Sequence, residues 1–149
     1  AMGVVLNRRT DVLLGELFEQ LGIEGAPREM KGRQVLWGGP VQVDRGFVLH
    51  DDPRPWPSTL RFGGFGLTSS REILHAMARG EGPERYLVMV GHAGWGGEQL
   101  EGELAQNAWL TVPAPEAMVF DTDSELLWQV AAGQIGVDMA NMADYSGHA

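Results

Sequence analysis

Four histidines, His50, His75, His92 and His148, stand beside twenty carboxylates in this chain of 149 residues. His50 is followed directly by Asp51 and Asp52. An imidazole with two carboxylates is a donor set for a divalent metal, with His92 as a fourth ligand. Neighbours along a strand face opposite ways, however, so three consecutive residues do not converge. His75 lies among Leu74, Ala76 and Met77 on an expected helix and reads as structural or exposed. Ser69-Ser70-Arg71-Glu72 has the pattern of a capping box, which accounts for both hydroxyls without nucleophilic chemistry. No G-x-S-x-G elbow is present. Glu98 with Glu101, and Asp121 with Asp123, are paired acids of the kind hydrolysis uses. Each pair also sits at an expected helix start, where the backbone dipole favours carboxylates. No catalytic set, metal site or cofactor motif emerges.

The stretch Gly91-His92-Ala93-Gly94-Trp95-Gly96-Gly97 joins an apolar strand to a helix, the layout of a phosphate cradle. It matches neither G-x-x-x-x-G-K-[ST] nor G-x-G-x-x-G. Glu98 and Glu101 would meet a phosphate with like charge. A tight turn that lays Trp95 across a sheet, with glycines supplying positive φ, is the competing reading.

These residues need elements to position them. A core-forming single domain fits this length. The composition, 44% hydrophobic and 21% charged, is that of an ordinary globular protein. The absence of cysteine excludes disulfides and thiolate chemistry. No apolar run approaches the roughly 20 residues of a membrane span, and no signal peptide is recognisable, so the expected compartment is the cytoplasm. The net charge is −9, and every Lys and Arg lies at or before Arg85. Nine acids and no Lys or Arg occupy residues 86–149. That part cannot neutralise nucleic-acid phosphates. Arg8, Arg9, Arg28, Lys31 and Arg33 could do so weakly, although a solvated face explains them as well.

Apolar spacing predicts strands over Met2–Leu6, Val35–Trp37, Gly46–His50, Tyr86–Val90 and Met118–Phe120, and a bent, glycine-broken strand over Leu60–Leu67. Helices are expected from Thr10 or Asp11 to Leu21, from Ser70 to Gly80, over Gln99–Asn107, from a second capping box at Thr122-x-x-Glu125 to about Ala132, and as one turn within Val137–Met142. Asp51-Asp52-Pro53-Arg54-Pro55-Trp56-Pro57 reads as a surface loop. Strands and helices mix without regular βαβ alternation, which favours α+β with a mostly antiparallel, bent sheet.

Several blocks carry a family resemblance: Ala1-Met2-Gly3, Leu6-Asn7-Arg8, Gly38-Gly39-Pro40-Val41, Gly46 to His50, Gly94-Trp95-Gly96, Gln99-Leu100-Glu101, Asn107-Ala108-Trp109-Leu110 and terminal Gly147-His148-Ala149. In this order they resemble the YqgE/AlgH family over essentially the whole chain. The resemblance implies an α+β single domain whose bifurcated sheet curls into a pseudo-barrel with flanking helices. It also implies about thirty further residues before Ala1, expected to supply the first strands. Glu98 stands where the family commonly has glycine or a small residue. The family implies little chemistry; one branch is described as a proposed transcriptional regulator of alginate production, and no DNA-binding motif is recognised in this chain.

Trp95 is the expected exposed platform among five tryptophans, with a polar interaction patch from Arg45, His50, Gly94, Trp95, Gln99 and Asn107 on one side of the barrel. The expected role is a non-enzymatic regulatory module acting through a protein partner rather than through direct DNA binding. The alternative is a small-molecule-binding or hydrolase-like protein with its site at the Gly94-Trp95 turn. If the first strands are absent, the Met2–Leu6 segment has an unpaired edge and self-association is expected.

Overall fold

Tyr86-Leu87-Val88-Met89-Val90 is the most continuous apolar run in the chain, as befits a strand covered on both faces. The computed structural model describes residues 1–134, and there this run becomes the spine of the sheet. In chain order the elements are β1 (Met2–Gly3), β2 (Arg9–Leu13), α1 (Leu14–Gln20), α2 (Arg28–Lys31), β3 (Gln34–Trp37), β4 (Val41–His50), β5 (Thr59–Phe62), β6 (Phe65–Thr68), α3 (Arg71–Ala78), β7 (Tyr86–Gly94), α4 (Gln99–Ala105), α5 (Glu116–Asp121) and α6 (Leu127–Gln134).

The sheet order is β2-β3-β7-β4-β6-β5, with β1 also paired to β7. Only β3 with β7 is parallel; the other pairs are antiparallel. The fold is α+β. The sheet forks at β7, whose Met89 and Val90 pair with β3 while Ala93 and Gly94 pair with β1. Its path starts at β2 and ends at β5 without closing.

Period-two alternation sends adjacent residues to two cores. Val35, Val48, Tyr86 and Val88 pack with Leu14 and Phe18 of α1 and Ile73 and Met77 of α3. Leu36, Leu49 and Met89 face the other way, with Phe47, Leu67 and Val119 of α5. Burying each large side chain contributes about 1.5–3 kcal/mol.

The fork depends on two backbones crossing closely. A Cβ on Gly39 would lie 2.1 Å from the His92 carbonyl carbon, and one on Gly91 would lie 2.2 Å from the Gly39 oxygen. Gly38 donates its N–H to Val90 O at 2.8 Å and accepts from Val5 N–H at 2.8 Å. Gly38-Gly39-Pro40, which link β3 to β4, are therefore also the place where two backbones cross.

Several expectations are corrected. The Met2–Leu6 strand is shortened to Met2–Gly3. Thr10 caps no helix; it lies on β2 and donates its hydroxyl to Val35 O at 2.7 Å, and the helix starts at Leu14. The Leu60–Leu67 strand is a hairpin, turned at Gly63-Gly64 with Gly63 at φ +58°. Met118–Phe120 is helical, because Pro115 supplies an extended N-cap and Glu116 starts the first turn. Neither capping box forms: Ser70 caps α3 without a side-chain bond, and Thr122 ends α5. The turn expected in Val137–Met142 lies outside the described residues.

Candidate functional site

The strand β7 does not stop at Gly91 but continues through Gly94, and the Trp95 N–H donates to Ala1 O at 2.8 Å. This extension delivers Trp95 to the end of the sheet. Its ring lies against Gly3, where a Cβ would approach the indole to 3.1 Å. Glycine in the Ala1-Met2-Gly3 block thus makes room for a tryptophan 92 residues further along the chain. Gln99 Oε1 accepts the Gly96 N–H at 3.0 Å and fastens the turn. Glu98 then takes a left-handed φ of +65° and α4 begins. A residue with a Cβ is strained in this left-handed conformation, which glycine adopts freely.

The other end of α4 returns the chain. Asn107 adopts φ +59°. Its N–H donates to Leu104 O at 3.1 Å, and the Ala108 N–H donates to Glu103 O at 2.9 Å. That pair of bonds is a Schellman closure, with Asn107 at the left-handed position that asparagine tolerates. Trp109 is thereby brought back over Trp95, their centroids 5.9 Å apart and their planes at 70°.

One carboxylate holds this corner together. Glu103 Oε1 accepts Trp109 Nε1–H at 2.8 Å and Trp95 Nε1–H at 3.3 Å, while its Oε2 accepts Gln99 Nε2–H at 3.1 Å. The bond from Trp109, followed by those from Gln99 and Trp95, holds the Glu103 carboxyl below its ordinary range. Trp95 is half-buried, and Trp109 is 47% exposed with Leu110 at 55% beside it in sequence. The turn and α4 carry Glu98, Glu101 and Glu103, and the sequence has no Lys or Arg from residue 86 to 134.

The structure therefore gathers Gly94, Trp95, Gln99 and Asn107 around one turn and one short helix. It does not bring Arg45 or His50 to them. His50 pairs with Tyr86, eight residues along β7 from Gly94, which is about 26 Å of strand. Arg45 donates to Ser69 Oγ at 2.9 Å and stacks over Phe47, in the irregular stretch between Val41 and Gly46. Of the six residues expected to lie together, four do and Arg45 and His50 do not. Glu103 and Trp109 were missed, since their part depends on the chain reversal at Asn107.

His50 is fully buried and structural. Its Nδ1 accepts the Asp52 N–H at 3.1 Å, so Nε2 carries the proton and donates to Thr68 Oγ1 at 2.8 Å. Thr59 Oγ1 donates to Trp56 O at 2.7 Å and must therefore accept from Thr68 at 2.6 Å. Burial, reinforced by Arg61, lowers the His50 pKa despite Asp52 and Asp51. Gly66 leaves space for the ring, since a Cβ there would sit 2.7 Å from Cε1.

The neighbouring carboxylates are engaged separately. Asp51 accepts from Arg85, which also reaches Glu116 and Asp121. Asp52 is paired with Arg54, whose hydrogen bond pulls its carboxyl down to about 2. His92 contacts Gln42 and the Phe47 ring. Among the described residues no three His, Asp or Glu side chains gather as metal ligands. No helix there is long and apolar enough to cross a membrane.

Comparisons with known proteins give a consistent relationship. The AlgH-like family model matches residues 1–140. A UPF0301 protein of Xanthomonas campestris pv. campestris (strain B100) is 53% identical over 150 aligned positions, covering 100% of this chain and 80% of that protein. A UPF0301 protein of Stenotrophomonas maltophilia (strain K279a) is 52% identical, covering 99% of this chain and 79% of the relative. The solution structure of the AlgH protein from Pseudomonas aeruginosa has a TM-score of 0.80 at 42% identity, over 96% of this chain and 76% of that one. A crystal structure from Corynebacterium diphtheriae shares the fold, with a TM-score of 0.62 at 19% identity. The blocks that include Gly3, Gly39, Trp95 and Asn107, the fold they build and these matches place the chain in the AlgH-like family.

Proposed function

We propose that this protein is a non-enzymatic regulatory module of the cytoplasm that docks a protein partner on the Trp95–Trp109 corner. The observation that carries this reading is the pair of partly exposed indoles, oriented by the Glu103 carboxylate to which both donate. Tryptophan is the residue type most enriched at the energetic centres of interfaces. The two rings are held in place before any partner arrives, so less rotamer freedom is lost on docking. Glu98, Glu101 and Glu103 favour a partner that presents Lys or Arg, through charge complementarity and cation–π contact with the indoles. A role in transcription would then pass through that partner and not through DNA, which the acidic surface repels.

The test is affinity capture from a lysate of the source organism with the full chain, beside a Trp109→Ala form. A partner retained by the first, released by raised salt and lost by the second supports the reading. An empty capture, or a partner indifferent to Trp109→Ala, refutes it. The alternative of a small-molecule site at this turn has less support, because the cleft described below is lined by neither tryptophan.

A further inference from the structure

The parallel ladder between β3 and β7 begins only at Leu36 with Met89. Before that point the two strands are unpaired, and Gln34 and Leu87 border a notch in the sheet. The segment joining α5 to α6 lies across it. Arg9 of β2 clamps that segment through Asp123 and Ser124. The cleft, partly open to solvent, has a volume of about 400 Å³, within the roughly 300–1,000 Å³ typical of small-molecule sites.

Its lining has two parts. Leu36, Leu87, Val119 and Leu127 provide apolar wall, while Arg33, Gln34 and Ser124 provide polar atoms. The Arg33 guanidinium lies 4.4 Å from the Tyr86 ring centroid. Its backbone is fixed on both sides, by Arg33 N–H to Met30 O at 3.1 Å and Leu14 N–H to Arg33 O at 2.8 Å. Of the two arginines that line the cleft, Arg9 has carboxylate partners, whereas Arg33 has none among the described residues. The positive charge of Arg9 is answered by Asp123 and Glu125. One uncompensated guanidinium therefore remains at the cleft, positioned by an aromatic face and with its donors unclaimed.

We propose that this notch binds a small organic carboxylate with an apolar tail. The planar fork of Arg33 matches a carboxylate in two-point contact. A single free positive charge suits a monoanion, while a phosphate dianion would call for a second. The tail is received by the Leu36, Leu87, Val119 and Leu127 wall. This site is separate from the tryptophan corner and does not depend on it.

The test uses sodium octanoate as the probe, titrated into the full chain and followed by backbone amide NMR. Saturable shifts at Gln34, Leu87 and Ser124 are expected, with Kd on the order of 1 mM. Acetate, which lacks the tail, and octyltrimethylammonium, which reverses the charge, should each bind at least about tenfold more weakly. Arg33→Gln should weaken octanoate about tenfold or more, Arg33→Lys should retain part of the binding, and Arg45→Gln should leave it unchanged. Absence of saturable shifts overturns the proposal. So does equal binding of octanoate and the ammonium probe, or equal binding by the wild type and Arg33→Gln.

Discussion

His50 ends its strand with both ring nitrogens committed, and this makes it a stability residue with a pH signature. Replacing it by leucine would leave the Asp52 N–H and the Thr68–Thr59 pair short of a partner in a buried place. His50→Leu should cost about 2–4 kcal/mol, measured as a shift of the urea midpoint. Wild-type stability should also fall as pH drops below 6.5. The unfolded imidazole takes a proton there while the buried one resists, so the unfolded state binds more protons. The loss is complete once the pH has passed the lowered folded value, and His50→Leu should lack this slope. A second loss belongs to Asp52, between 3.8 and about 2. Strand alternation already speaks against convergence of His50, Asp51 and Asp52, but the sequence does not show the local pairing that sends each side chain to a different partner. The expectation that His50 joins the Trp95 turn fails on that point. Trp95 and Gln99 were legible because the glycine turn marks them. Nothing in the sequence marks Glu103, since its indole donors come from before and after α4.

At the scale of elements, the glycines divide into those that make a turn and those that let two backbones meet. Gly39 is of the second kind, and a methyl there would overlap the His92 carbonyl. Gly39→Ala should cost about 3 kcal/mol or more, while Gly97→Ala, with nothing within 4 Å of its new carbon, should stay within about 0.5 kcal/mol. Thermal melts of the two variants decide the matter. Apolar periodicity located the interior parts of β3, β4, β7 and α3, because a run covered on two faces leaves a strong pattern. The capping signals misled. Thr10 is β-branched, with Val12 two residues on, and strand pairing with β3 outweighs its capping tendency. Met118–Phe120 is too short for its period to separate strand from helix, and the decisive cue was Pro115 ahead of Glu116.

At the scale of the molecule, the α+β class and the family were readable from the order of the blocks. The fork was readable only through the resemblance, since the Gly39–Gly91 crossing joins positions with no sequence signal linking them. Considered as a network, the sheet has one vertex of degree three. Removing β7 leaves three disconnected pieces: β1, the β2–β3 pair, and the β4–β6–β5 set. Strands at the rim can open one at a time, whereas β7 can open only when the other connections are lost. In native-state hydrogen exchange, the Val88 and Met89 amides should open with the free energy of global unfolding, and those of β2 and β5 should exchange by smaller openings. Faster exchange at β7 than at the rim would contradict this. The strand that carries Trp95 at its far end is therefore the last to yield, and the corner it presents is anchored to the least replaceable vertex of the fold.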